Sequence, residues 1–249
     1  MIDYKGKVVL ITGGTRGIGK AIADCLYDHG ATLLLTGTKQ EQVDELNEQN
    51  RVNNIDRVTY YQVDFSSSKS IDGFLLTIDQ LDKIDVCINN AGINIINDFC
   101  DVPFEEFEKI QQINVIAPYK ILKVVGAKMI QNGYGRIVNI ASIWSVITRP
   151  GRSSYTLSKN AIAGLTKSLA IEWAQYNVLV NAVSPGFTMT ELTKTTNTPE
   201  QLQLLESQIP AKRMAQPIEI ANVVAFLCSD MNSYLTGQNI TVDGGYTNV

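Results

Sequence analysis

Runs of Val, Ile and Leu with little polar alternation punctuate the chain at residues 7–12, 32–36, 57–63, 84–89, 135–141, 178–184 and 238–242. Apolar runs of this length predict strands buried on both faces. Longer stretches with apolar residues at helical spacing lie between them, at 17–29, 39–50, 69–80, 104–131, 154–176 and 217–229. Strand and helix alternate throughout. That order predicts an α/β fold: a doubly wound parallel sheet of about seven strands, flanked by helices and joined by right-handed crossovers. Pro118 falls inside the long fourth helical stretch and predicts a bend or a division there. No linker rich in Gly, Ser or Pro interrupts the pattern, so residues 1–249 read as a single domain. The least regular stretch is 184–207, with Pro185, Gly186, Pro199 and many threonines. It predicts a flexible substrate loop after a strand's carboxyl end.

Composition narrows the function classes. The 249 residues suffice for one large core, and 45% hydrophobic with 18% charged residues is ordinary for a globule. A net charge of −4, with no dense Lys/Arg run, gives no reason to expect a nucleic-acid partner. No apolar run approaches the ~18 residues a membrane span needs, and residues 1–7 lack an apolar leader core. The expectation is a cytoplasmic protein. Its scattered cysteines, Cys25, Cys87, Cys100 and Cys228, then read as buried reduced thiols. His29 is the only histidine. That argues against a zinc alcohol-dehydrogenase site or a histidine-based triad, and no metal is expected.

The first strand runs into Thr12-Gly13-Gly14-Thr15-Arg16-Gly17-Ile18-Gly19 and then directly into a helix. Glycines at such a turn let the backbone approach a pyrophosphate, while the helix start offers free N–H groups. Strand, glycine turn and helix together make the sheet Rossmann-type. Gly13, Thr15, Arg16, Gly17, Ile18 and Gly19 become candidate dinucleotide contacts. The second strand ends in Thr36-Gly37-Thr38-Lys39-Gln40, with no carboxylate before Glu41. An acid there would hold a ribose hydroxyl and repel a 2′-phosphate. Its absence, with Arg16 and Lys39 nearby and Thr38 at the strand end, favours NADP(H), with NAD(H) the other candidate. Asp64 closes the third strand before Phe65. The pair reads either as an adenine contact or as a cap for the turn at Ser66-Ser67-Ser68. Asn89-Asn90-Ala91-Gly92 ends the fourth strand, and Asn90, Ala91 and Gly92 are further cofactor candidates at the carboxyl edge.

Tyr155 and Lys159 stand at i and i+4 on one helix and share a face. A phenol near ~10 is a poor base at neutral pH. The expectation is that the lysine ammonium favours the phenolate and tunes the phenol for general acid-base work. Ser142, after the fifth strand, can donate a hydrogen bond to a substrate oxygen. Between Ser142 and Tyr155, Trp144 reads as a cleft wall or as core. Arg149 and Arg152 read as anion contacts or as surface and subunit-contact residues.

These residues, with Asn114, Pro185-Gly186, Thr236-Gly237-Gln238 and Asp243-Gly244-Gly245, resemble the short-chain dehydrogenase/reductase family over essentially the whole chain. The resemblance implies a Ser142-Tyr155-Lys159-Asn114 tetrad, in which the Asn114 backbone helps hold a water that relays protons to Lys159. It implies contacts from Tyr155 and Lys159 to the nicotinamide ribose. It also implies that Pro185, Gly186 and Thr188 border the nicotinamide, and that the protein is a homotetramer. The implied substrate is a small ketone or secondary alcohol, or an acyl thioester. Two readings stand side by side: a 3-oxoacyl-acyl-carrier-protein reductase, and a sugar-acid or polyol dehydrogenase. The stretches around Asn94 and from Trp144 to Arg152 are similar to the second group. A non-catalytic nucleotide-binding regulator would have no use for the intact tetrad.

Overall fold

The computed structural model describes residues 2–249. Seven parallel strands form one sheet in the order β3-β2-β1-β4-β5-β6-β7. They are β1 (Val8–Ile11), β2 (Thr32–Gly37), β3 (Val58–Gln62), β4 (Val86–Asn89), β5 (Gly135–Ile140), β6 (Val178–Pro185) and β7 (Asn239–Val242). The chain winds outward through β1, β2 and β3, then crosses back to place β4 on the other side of β1. Such a reversal of strand order opens a crevice at the carboxyl ends of β1 and β4, where ligands bind in sheets of this kind.

The period of two along each strand sorts side chains onto opposite faces. Val9 and Ile11 of β1 join Val86 and Ile88 of β4 in a core shared with Ile22 and Leu26 of α1 (Gly17–Asp28) and Ile220 and Val224 of α9 (Pro217–Cys228). Leu10 and Cys87 point the other way. They join Ile71 and Ile78 of α3 (Ser68–Asp79) and Ile121 and Val125 of α5 (Ala117–Asn132). Every residue of β5 and β6 is buried, as continuous apolar strands require. Each fully buried Ile or Leu here contributes about 1.5–3 kcal/mol relative to exposure.

The division expected near Pro118 is real, but it begins upstream of the proline. Helix α4 (Phe104–Gln111) passes into a π-turn, Gln112–Ile116, before α5 starts. Pro118 sits in the first turn of α5 and has no N–H to give the Asn114 carbonyl. The π-turn widens the ladder there, and Ala117 N–H donates to Gln112 O.

The expectation of an irregular loop over 184–207 is corrected. Strand β6 continues through Pro185, and two short helices follow, α7 (Glu191–Thr196) and α8 (Pro199–Gln208). Two of the threonines that suggested a flap are helix caps. Thr190 Oγ1 accepts from Thr193 N–H, and Thr198 forms a reciprocal capping box with Gln201. The remaining helices are α2 (Gln40–Val52) and α6 (Ser153–Trp173). Three cysteines are buried as expected, but Cys100 is exposed, since its segment beyond Gly92 lies on the surface. Among the described residues, no helix is long and apolar enough to cross a membrane.

Candidate active site

A cleft of about 580 Å³ opens at the carboxyl edge of β1, β2 and β4. One wall is the glycine turn. Gly17 adopts φ +58°, a left-handed conformation that costs other residues energy. Gly19 is required for a different reason: a Cβ there would strike Gly13 O and the Asn90 amide. That amide is placed by the turn itself, since Asn90 Nδ2 donates to Thr12 O and Gly13 O, each at 3.0 Å. Thr12 Oγ1 in turn accepts from the N–H groups of Asn90 and Ala91. Asn89 to Gly92 therefore braces the turn as well as lining the cleft. Helix α1 begins with no side-chain cap and no acid in its first turn, so its N–H groups and positive end face the cleft uncompensated.

Gly13, Thr15, Arg16, Gly17, Ile18, Gly19, Thr38, Asp64, Phe65, Asn90, Ala91 and Gly92, the candidate cofactor residues of these segments, all line this cleft. For Asp64 the turn-capping reading is the one the hydrogen bonds show. It lines the cleft, and its Oδ1 accepts from Ser66 N–H (2.9 Å) and Ser66 Oγ (2.7 Å), bonds that hold its carboxyl below the usual range. Lys39 is exposed at the start of α2 and is not among the lining residues, whereas Arg16 is. Pro185, Gly186 and Thr188 stand behind the lining. Thr190, Glu191 and Leu192 supply that wall, because α7 folds toward the glycine turn. Sequence reasoning missed these three, along with Gly37, Ser66, Ile93, Lys109 and Ile113. The cap signal at Thr190 and the neighbour of Asn114 were readable. Nothing in the sequence marks Lys109, which reaches the cleft across the sheet edge from α4.

The tetrad residues converge beside this cleft. Lys159 is buried, and its Nζ donates to Ile140 O at 2.8 Å. A Cβ on Gly92 would lie 3.5 Å from that Nζ and 3.3 Å from Asn114 Oδ1, so the lysine and the asparagine both back onto the cleft wall. Asn114 spends its whole side chain on structure. It donates to Ile93 O (2.9 Å) and Ser158 Oγ (3.0 Å) and accepts from Ile93 N–H (2.9 Å). Ser158 passes the link on to Tyr155 O at 2.7 Å. Pro118, four residues on, has no N–H to donate to the Asn114 carbonyl. Ser142 is buried at the end of β5, and its Oγ accepts from Trp144 N–H.

The expected electrostatics of Tyr155 are corrected. Lys159 Nζ lies 5.5 Å from the centre of the Tyr155 ring, but it is not what governs the phenol. Burial raises the Tyr155 pKa, while the Ser142 hydroxyl and the Arg152 charge pull it back. Burial also pushes Lys159 down to about 8. In the cofactor-free protein the phenol is therefore protonated at neutral pH.

An aromatic and basic cluster follows Ser142 and Tyr155 in the fold. Trp144 is buried and meets Phe187 edge-on at 6.4 Å, and Phe187 meets Tyr246 edge-on at 5.1 Å. Arg149 and Arg152 both lie over the Trp144 ring, at 5.2 and 5.6 Å from its centre. Arg152 is buried and Arg149 exposed. Asn94 is exposed on the segment after Gly92.

A family model described as enoyl-(acyl carrier protein) reductase matches residues 13–247. The chain is 40% identical over 247 residues to the 3-oxoacyl-[acyl-carrier-protein] reductase of Aquifex aeolicus, covering 98% of each. It is 36% identical over 242 residues to an NAD-dependent glycerol dehydrogenase of Listeria innocua, covering 97% of this chain and 94% of that one. Among solved structures, a short-chain type dehydrogenase/reductase from Mycobacterium marinum superposes with a TM-score of 0.88 at 32% identity, over 99% of this chain and 97% of that one. A gluconate 5-dehydrogenase from Burkholderia cenocepacia, in complex with NADP and tartrate, gives 0.91 at 27% identity over 100% and 98% of the two chains.

Proposed function

The chain belongs to the short-chain dehydrogenase/reductase family, and on that premise we propose that it is an NADP(H)-dependent oxidoreductase in which Tyr155 is the general acid/base. The observation that carries this reading is the packing of Lys159 and Asn114 against Gly92, on the wall of the glycine-turn cleft, with the Tyr155 ring beside the Lys159 ammonium. The residues fit a dinucleotide. The uncapped start of α1 and the Gly17 turn suit a pyrophosphate, and Asp64 with the Phe65 amide suits an adenine. Arg16, with no carboxylate facing it from the end of β2, suits a 2′-phosphate. The relatives differ on this point. A solved neighbour holds NADP, while the glycerol dehydrogenase is named as NAD-dependent, so NAD(H) is the competing cofactor.

A bound nicotinamide supplies or accepts the hydride. Ser142 donates a hydrogen bond to the substrate oxygen and holds it beside the Tyr155 phenol. In reduction Tyr155 gives that oxygen its proton; in oxidation it takes the proton back. Lys159 is held by the Ile140 carbonyl with its charge only partly favoured, so it can pass a proton onward near neutral pH. The Asn114 carbonyl holds the water through which the proton reaches solvent. Pro185, Gly186 and Thr188 shape the pocket floor behind α7 and α8, which close over bound cofactor. Family resemblance supports a homotetramer.

For the substrate we favour a small polar ketone or secondary alcohol of the sugar-acid or polyol type, because Trp144, Arg149 and Arg152 make a basic aromatic wall next to Tyr155. Reduction of 3-oxoacyl thioesters is the second reading, favoured by the 40% identity to a reductase of that name. The test is NADPH consumption with a panel of keto-sugar acids, cyclic ketones and acetoacetyl thioesters. Tyr155→Phe should fold normally and lose at least ~10²-fold in kcat with any active substrate. Because burial raises the phenol's pKa, reduction should hold steady at neutral pH and oxidation should climb with pH. Wild-type turnover in Tyr155→Phe would refute the role.

A further inference from the structure

The most unusual side chain outside the tetrad is Arg152. It stands at the N-cap of α6, three residues before Tyr155, and is only 8% exposed. Its Nε is sealed from solvent with no hydrogen-bond partner. None of the ion pairs of the described residues includes it. Its charged neighbour is another cation, Arg149, and both guanidiniums converge on the Trp144 ring. A guanidinium does not escape burial by losing its proton. An uncompensated buried cation is costly, and a bound anion would complete it. The indole face offsets only part of that cost.

We propose that Arg152 is the receptor for a carboxylate on the substrate, so that this enzyme acts on hydroxy or keto acids in preference to neutral polyols and ketones. The proposal rests on the oxidoreductase reading and deepens it. Arg152 and Tyr155 are neighbours one helical turn apart, with Cβ atoms roughly 5–6 Å from each other. A single short acid can therefore place its carboxylate on the guanidinium and its carbinol carbon at the phenol. The planar fork of Arg152 accepts a carboxylate in bidentate fashion and fixes which carbon reaches Tyr155. Trp144 supplies the flat wall along which the intervening carbons lie. Arg149 is exposed and adds positive potential at the mouth, drawing anions in rather than gripping them. Arg152 is a specificity-determining residue here, not part of proton transfer.

Matched pairs of probes isolate the carboxylate. D-gluconate and D-glucitol differ only at one end, as an acid and its neutral alcohol; L-threonate and L-threitol do the same at four carbons. Binding of each to the NADP+-loaded enzyme is measured by calorimetry, and oxidation is measured where it occurs. The expected result is that at least one acid binds ~10–100-fold more tightly than its neutral partner, the size of one charge-assisted bidentate contact. Arg152→Gln should erase that preference while NADP+ still binds, which also reports an intact fold. Arg152→Lys should restore part of it, and Arg149→Gln should change it by no more than a few-fold. Equal affinity within both pairs, or a preference that survives Arg152→Gln, overturns the proposal. Tyr155-dependent turnover of neutral ketones with no preference for acids sinks only this inference. Absence of any NADPH-dependent turnover sinks the parent reading.

Discussion

Replacing Lys159 by methionine should make the cofactor-free protein more stable while removing its activity. Lys159 is 4% exposed, and its one hydrogen bond is to the Ile140 carbonyl. Burial moves its pKa from an ordinary 10.5 to about 8. At ~1.4 kcal/mol per tenfold change in proton affinity, keeping it charged inside the fold costs ~3 kcal/mol. Methionine has a similar length and no charge, so Lys159→Met recovers that cost and forfeits ~1 kcal/mol for the lost hydrogen bond. The net gain is ~2 kcal/mol, or roughly 4–8 °C in Tm for a chain of this size. The pH dependence carries the sign. Below pH 8 the lysine is protonated in both folded and unfolded chains, so its penalty is fully present. Between pH 8 and 10.5 the unfolded chain holds the proton more tightly, and wild-type stability rises with pH. The methionine variant lacks that term, so its advantage should be complete at pH 7 and shrink toward pH 10. Chemical denaturation of both proteins at one fixed concentration, with cofactor removed, measures this. A variant no more stable than wild type at pH 7, or an advantage that stays constant with pH, would show that the buried ammonium is not what strains the site.

Two further outcomes test the cofactor side. Arg16→Ala should weaken NADPH binding ~10–100-fold, as loss of a charged phosphate contact does, and leave NADH binding nearly unchanged. Equal losses for the two cofactors in a fluorescence titration would remove Arg16 from 2′-phosphate recognition. Amide hydrogen exchange across α7 and α8 should slow when NADPH is added, because Thr190, Glu191 and Leu192 line the cleft from that segment. Unchanged exchange there would mean that the two helices do not respond to cofactor.

What the amino-acid pattern determined alone is everything that depends on short-range period and spacing. Seven apolar runs required seven strands buried on both faces, and alternation with helices required them to be parallel. The glycines after β1 required a tight turn into a helix, and Tyr155 with Lys159 required one shared helical face. The threonines of 184–207 misled because a capping threonine and a loop threonine look alike until the backbone after them is known. Only the tertiary structure decided how deeply each charge is buried. Lys159 was expected to acidify its neighbour; burial discharges the lysine itself toward about 8 and raises the phenol. Arg152 read either as an anion contact or as a surface or subunit-contact residue; the fold buries it, with its Nε unpartnered and no ion pair. Asn114 is tied to Ile93 and Ser158, residues 21 and 44 positions away. Desolvation and hydrogen-bond closure of this kind are sums over elements far apart in the chain. No local pattern contains them, and they set the charge states with which the site would work.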